Sequence, residues 1–269
     1  MFKKSLTNIY NQYNILLDRY NYILIEKEVS MDNIVKFNVS GKYALFTDPL
    51  TKIGGEKSTL MIPTYQALKG ICESIYWKPS IIWYIDSVHI LNPISTESKG
   101  IRPINYNGGN DLSYYTYLTD VSYNVTAHFE FNKNRPDLEH DFNENKHYFI
   151  MKRCIEKGGR RDVFLGTREC QGYVEPAVSQ NGYYESMGAM EFGLMYHSFS
   201  YPDENGEDKL IAKFWRPKMI NGTIKFCRPE VCEKEVIIKD MEMKKFDDSN
   251  FSSADNTISC WGMLEGDSI

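Results

Sequence analysis

The chain has 269 residues, 42% of them hydrophobic and 14% aromatic, enough to build the core of one large domain or two small ones. Its formal net charge is -5, but Glu230–Ile269 carries ten acids against four lysines, which leaves about +1 for the body; generalised polycation binding is excluded, whereas a local basic surface is not. No apolar run reaches the roughly 18 residues of a membrane span, and Asn and Gln interrupt the stretch after Lys3 and Lys4, so neither a membrane partner nor a secretory signal is expected and the protein reads as cytoplasmic.

Residues 1–30 precede the first strand pattern, and Met31 stands directly before it. The expectation is that native translation starts at Met31 and that 1–30 is an upstream extension. Residues 34–46, IVKFNVSGKYALF, alternate Val35, Phe37 and Val39 with Lys36, Asn38 and Ser40, the pattern of a half-buried strand. In 63–79, PTYQALKGICESIYWKP, Thr64 caps a helix whose face is Leu68, Ile71 and Ile75, and Pro79 closes it. Residues 81–91 form a second strand. The Gly-, Asn- and Pro-rich stretch 92–113 reads as a loop, and 117–131 alternates as a long third strand.

A second helix starts after Asn143 or Asn145, either of which can cap it, and stops at Gly158-Gly159. Residues 162–174 are the fourth strand. The order β-α-β-β-α-β is the ferredoxin-like arrangement, which also serves as the platform of RNA-recognition modules. Strands at 192–201, 209–216 and 223–227, with a turn at Asn221-Gly222, then predict a small antiparallel sheet. The fold class is therefore α+β, with a ferredoxin-like domain over 31–178, a small antiparallel β-sheet domain over 179–232 and a loosely ordered acidic tail over 233–269.

The residues that could carry chemistry are few. No Walker loop, G-x-S-x-G or H-E-x-x-H motif is present, and no carboxylate cluster suggests a two-metal site. Asp137, Glu139, His140, Asp141 and Glu144 read as a solvated loop; His89, His128 and His197 read as structural histidines within strands. Six scattered cysteines read as reduced thiols, and Cys227 and Cys232 lack two further ligands nearby in sequence, so no metal or other cofactor is expected. Lys146 and His147 differ. They put two potential cations in the first turn of a helix, where the dipole opposes them. A helix start is an anion site, so a bound phosphodiester would reverse that balance; the alternative is an ordinary exposed loop-to-helix junction.

Several stretches in order resemble the type I-C (Dvulg subtype) CRISPR-associated Cas five-d family, the pre-crRNA processing endoribonucleases. They are GKYALFTDPLTKIGGEK (41–57), PTYQALKGICESIYWKP (63–79), ESKGIRPI (97–104), YYTYLTDVSYNVTAHFEFN (114–132), ENKHY (144–148) and GGRRDVFLGTRECQGY (158–173). The resemblance covers about residues 33–229. It implies a catalytic group of Tyr76, Lys146 and His147. It also implies metal-independent cleavage of CRISPR repeat RNA at the 3′ base of its hairpin by 2′-hydroxyl attack, leaving a 2′,3′-cyclic phosphate and a 5′-hydroxyl. The implied partners are pre-crRNA, then mature crRNA held by its 5′ handle, and the backbone and large subunits of a type I-C interference complex. Which of Tyr76 and His147 is acid and which is base stays open. Lys57, Arg160, Arg161 and Arg168 are candidate RNA contacts. The competing reading is a subunit that holds the crRNA 5′ handle without cutting.

Overall fold

The structure, a computed structural model, describes residues 33–52, 55–104, 108–109 and 111–243. The extension 1–30 and the tail beyond 243 lie outside the described residues. Strand β1 (Ile34–Ala44), helix α1 (Tyr65–Ile75), strand β2 (Ile81–Ile90), strand β3 (Thr96–Ile101), strand β4 (Ser113–Phe131), helix α2 (Glu144–Glu156), and strands β5 (Val163–Phe164) and β6 (Gln171–Pro176) make the first part of the chain.

Strands β6, β1, β4 and β2 lie side by side in that order, with β1–β4, β2–β4 and β1–β6 all antiparallel. Numbered by the four expected strands, this is fourth–first–third–second, the ferredoxin-like arrangement. Alternation drives it. Val35, Phe37 and Val39 of β1, Val121, Val125, Ala127 and Phe129 of β4, and Ile81, Trp83 and Ile85 of β2 are all buried. They pack beneath Leu68, Ile71, Cys72 and Ile75 of α1 and Met151 and Ile155 of α2. Each Val, Leu, Ile, Phe or Met side chain among these contributes about 1.5–3 kcal/mol on removal from water.

Two differences from the sequence reading are local. The stretch 92–113 contains β3, which pairs with the start of β4 from Thr96↔Leu118 to Ile101↔Ser113. None of its side chains is fully buried, so it carries no apolar alternation to announce it. The expected fourth strand is a hairpin of β5 and β6, interrupted at Gly166. There φ is +94°, and a Cβ would stand 2.1 Å from the Leu45 carbonyl oxygen, so only glycine fits.

The later strands divide between two sheets. Strands β7 (Ala189–Glu191), β10 (Lys218–Ile220) and β11 (Thr223–Lys225) extend the large sheet beyond β2, with β11 pairing His89, Val88 and Ser87. Asn221 and Gly222, both at positive φ, make the expected turn between β10 and β11. Strands β8 (Met195–Ser200), β9 (Lys209–Trp215) and β12 (Lys234–Asp240) form a separate three-stranded sheet in the order β12–β9–β8. The expected third strand of the small sheet thus belongs to the large one. Residues 234–240, expected to be loose, are a strand that pairs antiparallel with β9, with Val236 opposite Ala212 and Ile237 opposite Ile211. Lys69 of α1, buried, meets Glu204 at 2.5 Å and ties the helix to the β8–β9 connection. No helix among the described residues is long and apolar enough to cross a membrane.

Candidate active site

Tyr76 closes α1. Its backbone is extended (φ -158°, ψ 125°), yet its N–H still bonds the Cys72 carbonyl, and its own carbonyl accepts the Trp83 indole N–H at 2.8 Å. Both main-chain groups are therefore fixed, and the phenol is aimed inward. Across the interface, Asn143 caps α2 by accepting the Lys146 N–H at 3.0 Å. His147 then falls on the same face as Met151 and Ile155, one and two turns onward, and is fully buried. Phe129 and Phe131 of β4 present ring edges to it at centroid distances of 5.9 and 6.1 Å.

Two segments 71 residues apart meet here: the Tyr76 hydroxyl lies 2.9 Å from His147 Nδ1. His147 Nε2 lies 2.8 Å from the backbone carbonyl of Asp141. A carbonyl only accepts, so Nε2 carries a proton; in the neutral ring Nδ1 is bare and accepts the phenol O–H. Burial, and behind it the Asp141 charge, pushes the Tyr76 hydroxyl up to about 12, so the phenol stays protonated.

The charge conflict at the start of α2 is resolved by Asp141, last residue of a short 3-10 helix, Pro136–Asp141. One carboxylate oxygen takes the Lys146 ammonium; the other accepts the Ser80 hydroxyl at 2.6 Å and stands 3.6 Å from His147 Nε2. The Lys146 ammonium, then the Ser80 hydroxyl, hold this carboxyl down at about 2. An anion just ahead of the helix also suits its dipole. Asp141, expected in a solvated loop, is thus tied to Lys146, Ser80 and His147, and Ser80 carries no signal of this in the sequence. No spacing in the sequence distinguishes Asp141 from Asp137 and Glu139 beside it.

The basic candidates fall into two groups. Gly158 and Gly159, both at positive φ, let the chain turn back so that the N–H groups of Arg160 and Arg161 bond the free carbonyls of Ile75 and Ser74 at the end of α1, each at 3.1 Å. Both arginines are exposed, and with Glu73, Ser74, Trp77, Lys78 and Pro79 they line a groove of about 250 Å³ at the end of α1, where Tyr76 follows. Trp77 is 45% exposed there. Lys57 and Arg168 are elsewhere. Lys57 accepts the Thr116 N–H at the far end of β4, with its ammonium 5.0 Å from the Tyr115 ring centre. Arg168 leans on Phe164 at 5.8 Å, in the loop that packs on Leu45. From Thr116 to Phe129, at a rise of about 3.3 Å per residue, is about 40 Å along β4. Tyr76, His147 and Lys146 are thus together, Arg160 and Arg161 adjoin them, and Lys57 and Arg168 do not.

One further group escaped the sequence reading. His197, 30 residues before Cys227, brings a third potential ligand to Cys227 and Cys232, the ligand atoms of all three lying within 4.8 Å of one another.

Comparison with known proteins adds to this geometry. Two curated relatives are each named CRISPR pre-crRNA endoribonuclease Cas5d. The one from Mannheimia succiniciproducens is 26% identical over 223 residues, covering 72% of this chain and 95% of the relative. That from Thermus thermophilus is 26% identical over 176 residues, covering 60% and 73%. Among solved structures, one titled as a CRISPR-associated protein matches with a TM-score of 0.65 at 38% identity, over 76% of this chain and 96% of its own. A functionally uncharacterized protein from Streptococcus mutans matches with a TM-score of 0.63 at 41% identity over the same shares. The family model for Cas5d, described as CRISPR-associated protein (Cas_Cas5), matches residues 34–227, most of the chain. This chain is therefore a member of the Cas5d family of CRISPR-associated proteins.

Proposed function

We propose that the protein is an endoribonuclease that cuts CRISPR repeat RNA at the 3′ base of its hairpin and then keeps the crRNA 5′ handle as a subunit of a type I-C interference complex. The observation that carries this reading is the 2.9 Å contact between Tyr76 and His147 with Lys146 next in the chain, at the start of a helix. The names of the two curated relatives supply the substrate class. RNA brings its own nucleophile, since a 2′-hydroxyl can attack the adjacent phosphate. The protein then has to align that hydroxyl, move protons and stabilise the crowded phosphorane. Tyr76, by donating to Nδ1, would hold the His147 ring with Nε2–H facing the surface side. Lys146 and the first free amides of α2 would face the phosphorane charge. This assignment requires no metal.

His147 has no exposed surface and Nε2 is engaged by Asp141, so substrate must replace Asp141. A phosphate offers what Asp141 now gives: an acceptor for Nε2–H and an anion for Lys146. The same burial favours the second reading, a handle-binding subunit that does not cut. The two are separated by incubating the full chain with its repeat RNA in EDTA, beside His147→Ala and a substrate with a 2′-deoxy sugar at the cut. Cleavage by wild type alone, on all-ribose RNA only, with a cyclic phosphate on the product, is expected. Cutting of the deoxy substrate would exclude 2′-hydroxyl attack, cutting only when a divalent metal is restored would exclude metal independence, and binding without cutting would establish the second reading.

A further inference from the structure

We propose that His197, Cys227 and Cys232 form a zinc site that fastens the two sheets together. The three residues come from separate places in the fold. His197 lies in β8 of the small sheet, Cys227 follows β11 of the large sheet, and Cys232 precedes β12 of the small one. The segment between the cysteines is the crossing from one sheet to the other. Its only regular structure is the single turn Pro229–Val231.

The sulfur spacing suits a tetrahedral site. The two sulfurs are 3.9 Å apart. Two thiolates bound to zinc at about 2.3 Å with a tetrahedral angle stand about 3.8 Å apart. His197 is fully buried and its ring is clamped, stacked on Tyr65 at 4.3 Å and edge-on to Trp215 at 5.3 Å. Its Nδ1 lies 2.8 Å from the Ser198 hydroxyl, and Nε2 lies 3.1 Å from the Cys227 carbonyl. In the metal-free ring Nε2–H donates to that carbonyl; zinc at Nε2 would displace this bond, and Nδ1 keeps its partner in either tautomer, because a hydroxyl can both donate and accept. With metal bound through Nε2, Nδ1–H donates to Ser198, the outer-shell bond that fixes metal-bound histidines. Two thiols would release their protons, and Zn²⁺ with two thiolates and a neutral imidazole carries no net charge, which suits a half-buried position. Cys227 and Cys232 are only partly covered, so a water can complete the fourth position.

The site stands apart from the proposed nuclease centre. Tyr65 and Tyr76 mark opposite ends of α1, about 16 Å at 1.5 Å per residue. Its role is to hold β8, β11 and β12 in register rather than to act on RNA.

The test is metal content of the full chain, purified under reducing conditions without added chelator, and its cobalt spectrum. About one zinc per chain is expected, lost in Cys227→Ser and in Cys232→Ser. Cobalt substituted into the wild type should give a thiolate-to-metal band in the near ultraviolet and intense tetrahedral bands in the visible, and removing the metal should lower the melting temperature. Because the wild-type cobalt spectrum reports thiolate ligation directly, it decides the matter even where the serine variants fold poorly. A wild type that holds no zinc and takes up no cobalt overturns the proposal. So does zinc retained undiminished by Cys227→Ser, or a Cys227–Cys232 disulfide as the native state, seen as a mass lower by two hydrogens.

Discussion

Replacing Tyr76 with phenylalanine removes one oxygen and leaves the ring, so packing against β2 and α2 persists while His147 loses its partner at Nδ1. His147 and Tyr76 are both buried, so the bare Nδ1 is shut off from bulk solvent. Leaving such a buried acceptor unsatisfied costs about 1–3 kcal/mol. For a chain of this size that is roughly 2–4 °C of melting temperature per kcal/mol. Urea unfolding measures the cost directly, as a lower midpoint at unchanged slope. Single-turnover cleavage at saturating repeat RNA measures the chemistry, and a drop of about 10²–10⁴ is expected if the phenol positions the ring that handles the proton. The two readouts separate structure from function. An unchanged urea midpoint would refute the buried hydrogen bond. A lowered midpoint with cleavage within about threefold of wild type, far short of the expected drop, would refute a part for Tyr76 in the reaction.

Asp141→Asn removes the carboxylate that Lys146 and Ser80 hold down at about 2. A carboxyl that titrates near 3.9 in the unfolded chain but at about 2 when folded contributes its stability above pH ~4 and loses it as pH falls towards 2. The variant should therefore be less stable by about 1 kcal/mol at pH 7, a value discounted because Lys146 is half exposed. The gap should close near pH 2, as followed by urea unfolding at both pH values. Tyr76 works in the opposite direction: its hydroxyl is raised to about 12, so its contribution is complete below pH ~10 and is lost as pH rises through 12. Tyr76→Phe should flatten the alkaline limb of the stability profile. Arg160→Ala with Arg161→Ala should weaken repeat-RNA binding and make its salt dependence shallower by roughly one to two phosphate contacts, read from affinities across salt concentrations; an unchanged slope would take both arginines out of the interface.

Much of the frame was legible because it rests on periodicity. Val35, Phe37 and Val39 announce β1, and the run from Val121 to Phe131 announces β4, since each buries one face of a two-sided sheet. What failed lacked that signal. Strand β3 has only Lys99 and Ile101 partly covered, and β12, read as part of an acidic tail, is exposed along its whole length; its pairing with β9 is set by backbone geometry rather than apolar burial. The split fourth strand turns on Gly166 meeting Leu45, a contact between segments 121 residues apart that no local pattern contains. At the site, the sequence presents Lys146 and His147 as a charge conflict with two readings, a bound phosphate or an exposed loop-to-helix junction. The structure supplies Asp141, whose role depends on a 3-10 helix aiming its carbonyl at His147 and its carboxylate at Lys146. His197 was similarly out of reach, because its nearness to Cys227 is created by two sheets meeting.

On the proposed reading, the closed state of the site bears on selectivity. RNA that gains access to His147 must break the Asp141 carbonyl bond to Nε2 and draw the carboxylate away from Lys146 and Ser80. It then recovers much of that loss through a phosphate seated on the same donors. A short or unstructured strand offers that phosphate but little else. A hairpin foot lying along the groove of Trp77, Arg160 and Arg161 adds contacts remote from the reacting atoms, and those contacts can meet the cost of opening. Since the arginines are anchored to the carbonyls of Ser74 and Ile75, immediately before Tyr76, strain at the groove reaches the phenol through two residues of backbone. Recognition and chemistry would then share one short segment, 74–77, so that only RNA able to grip the groove would have its phosphate exchanged for Asp141.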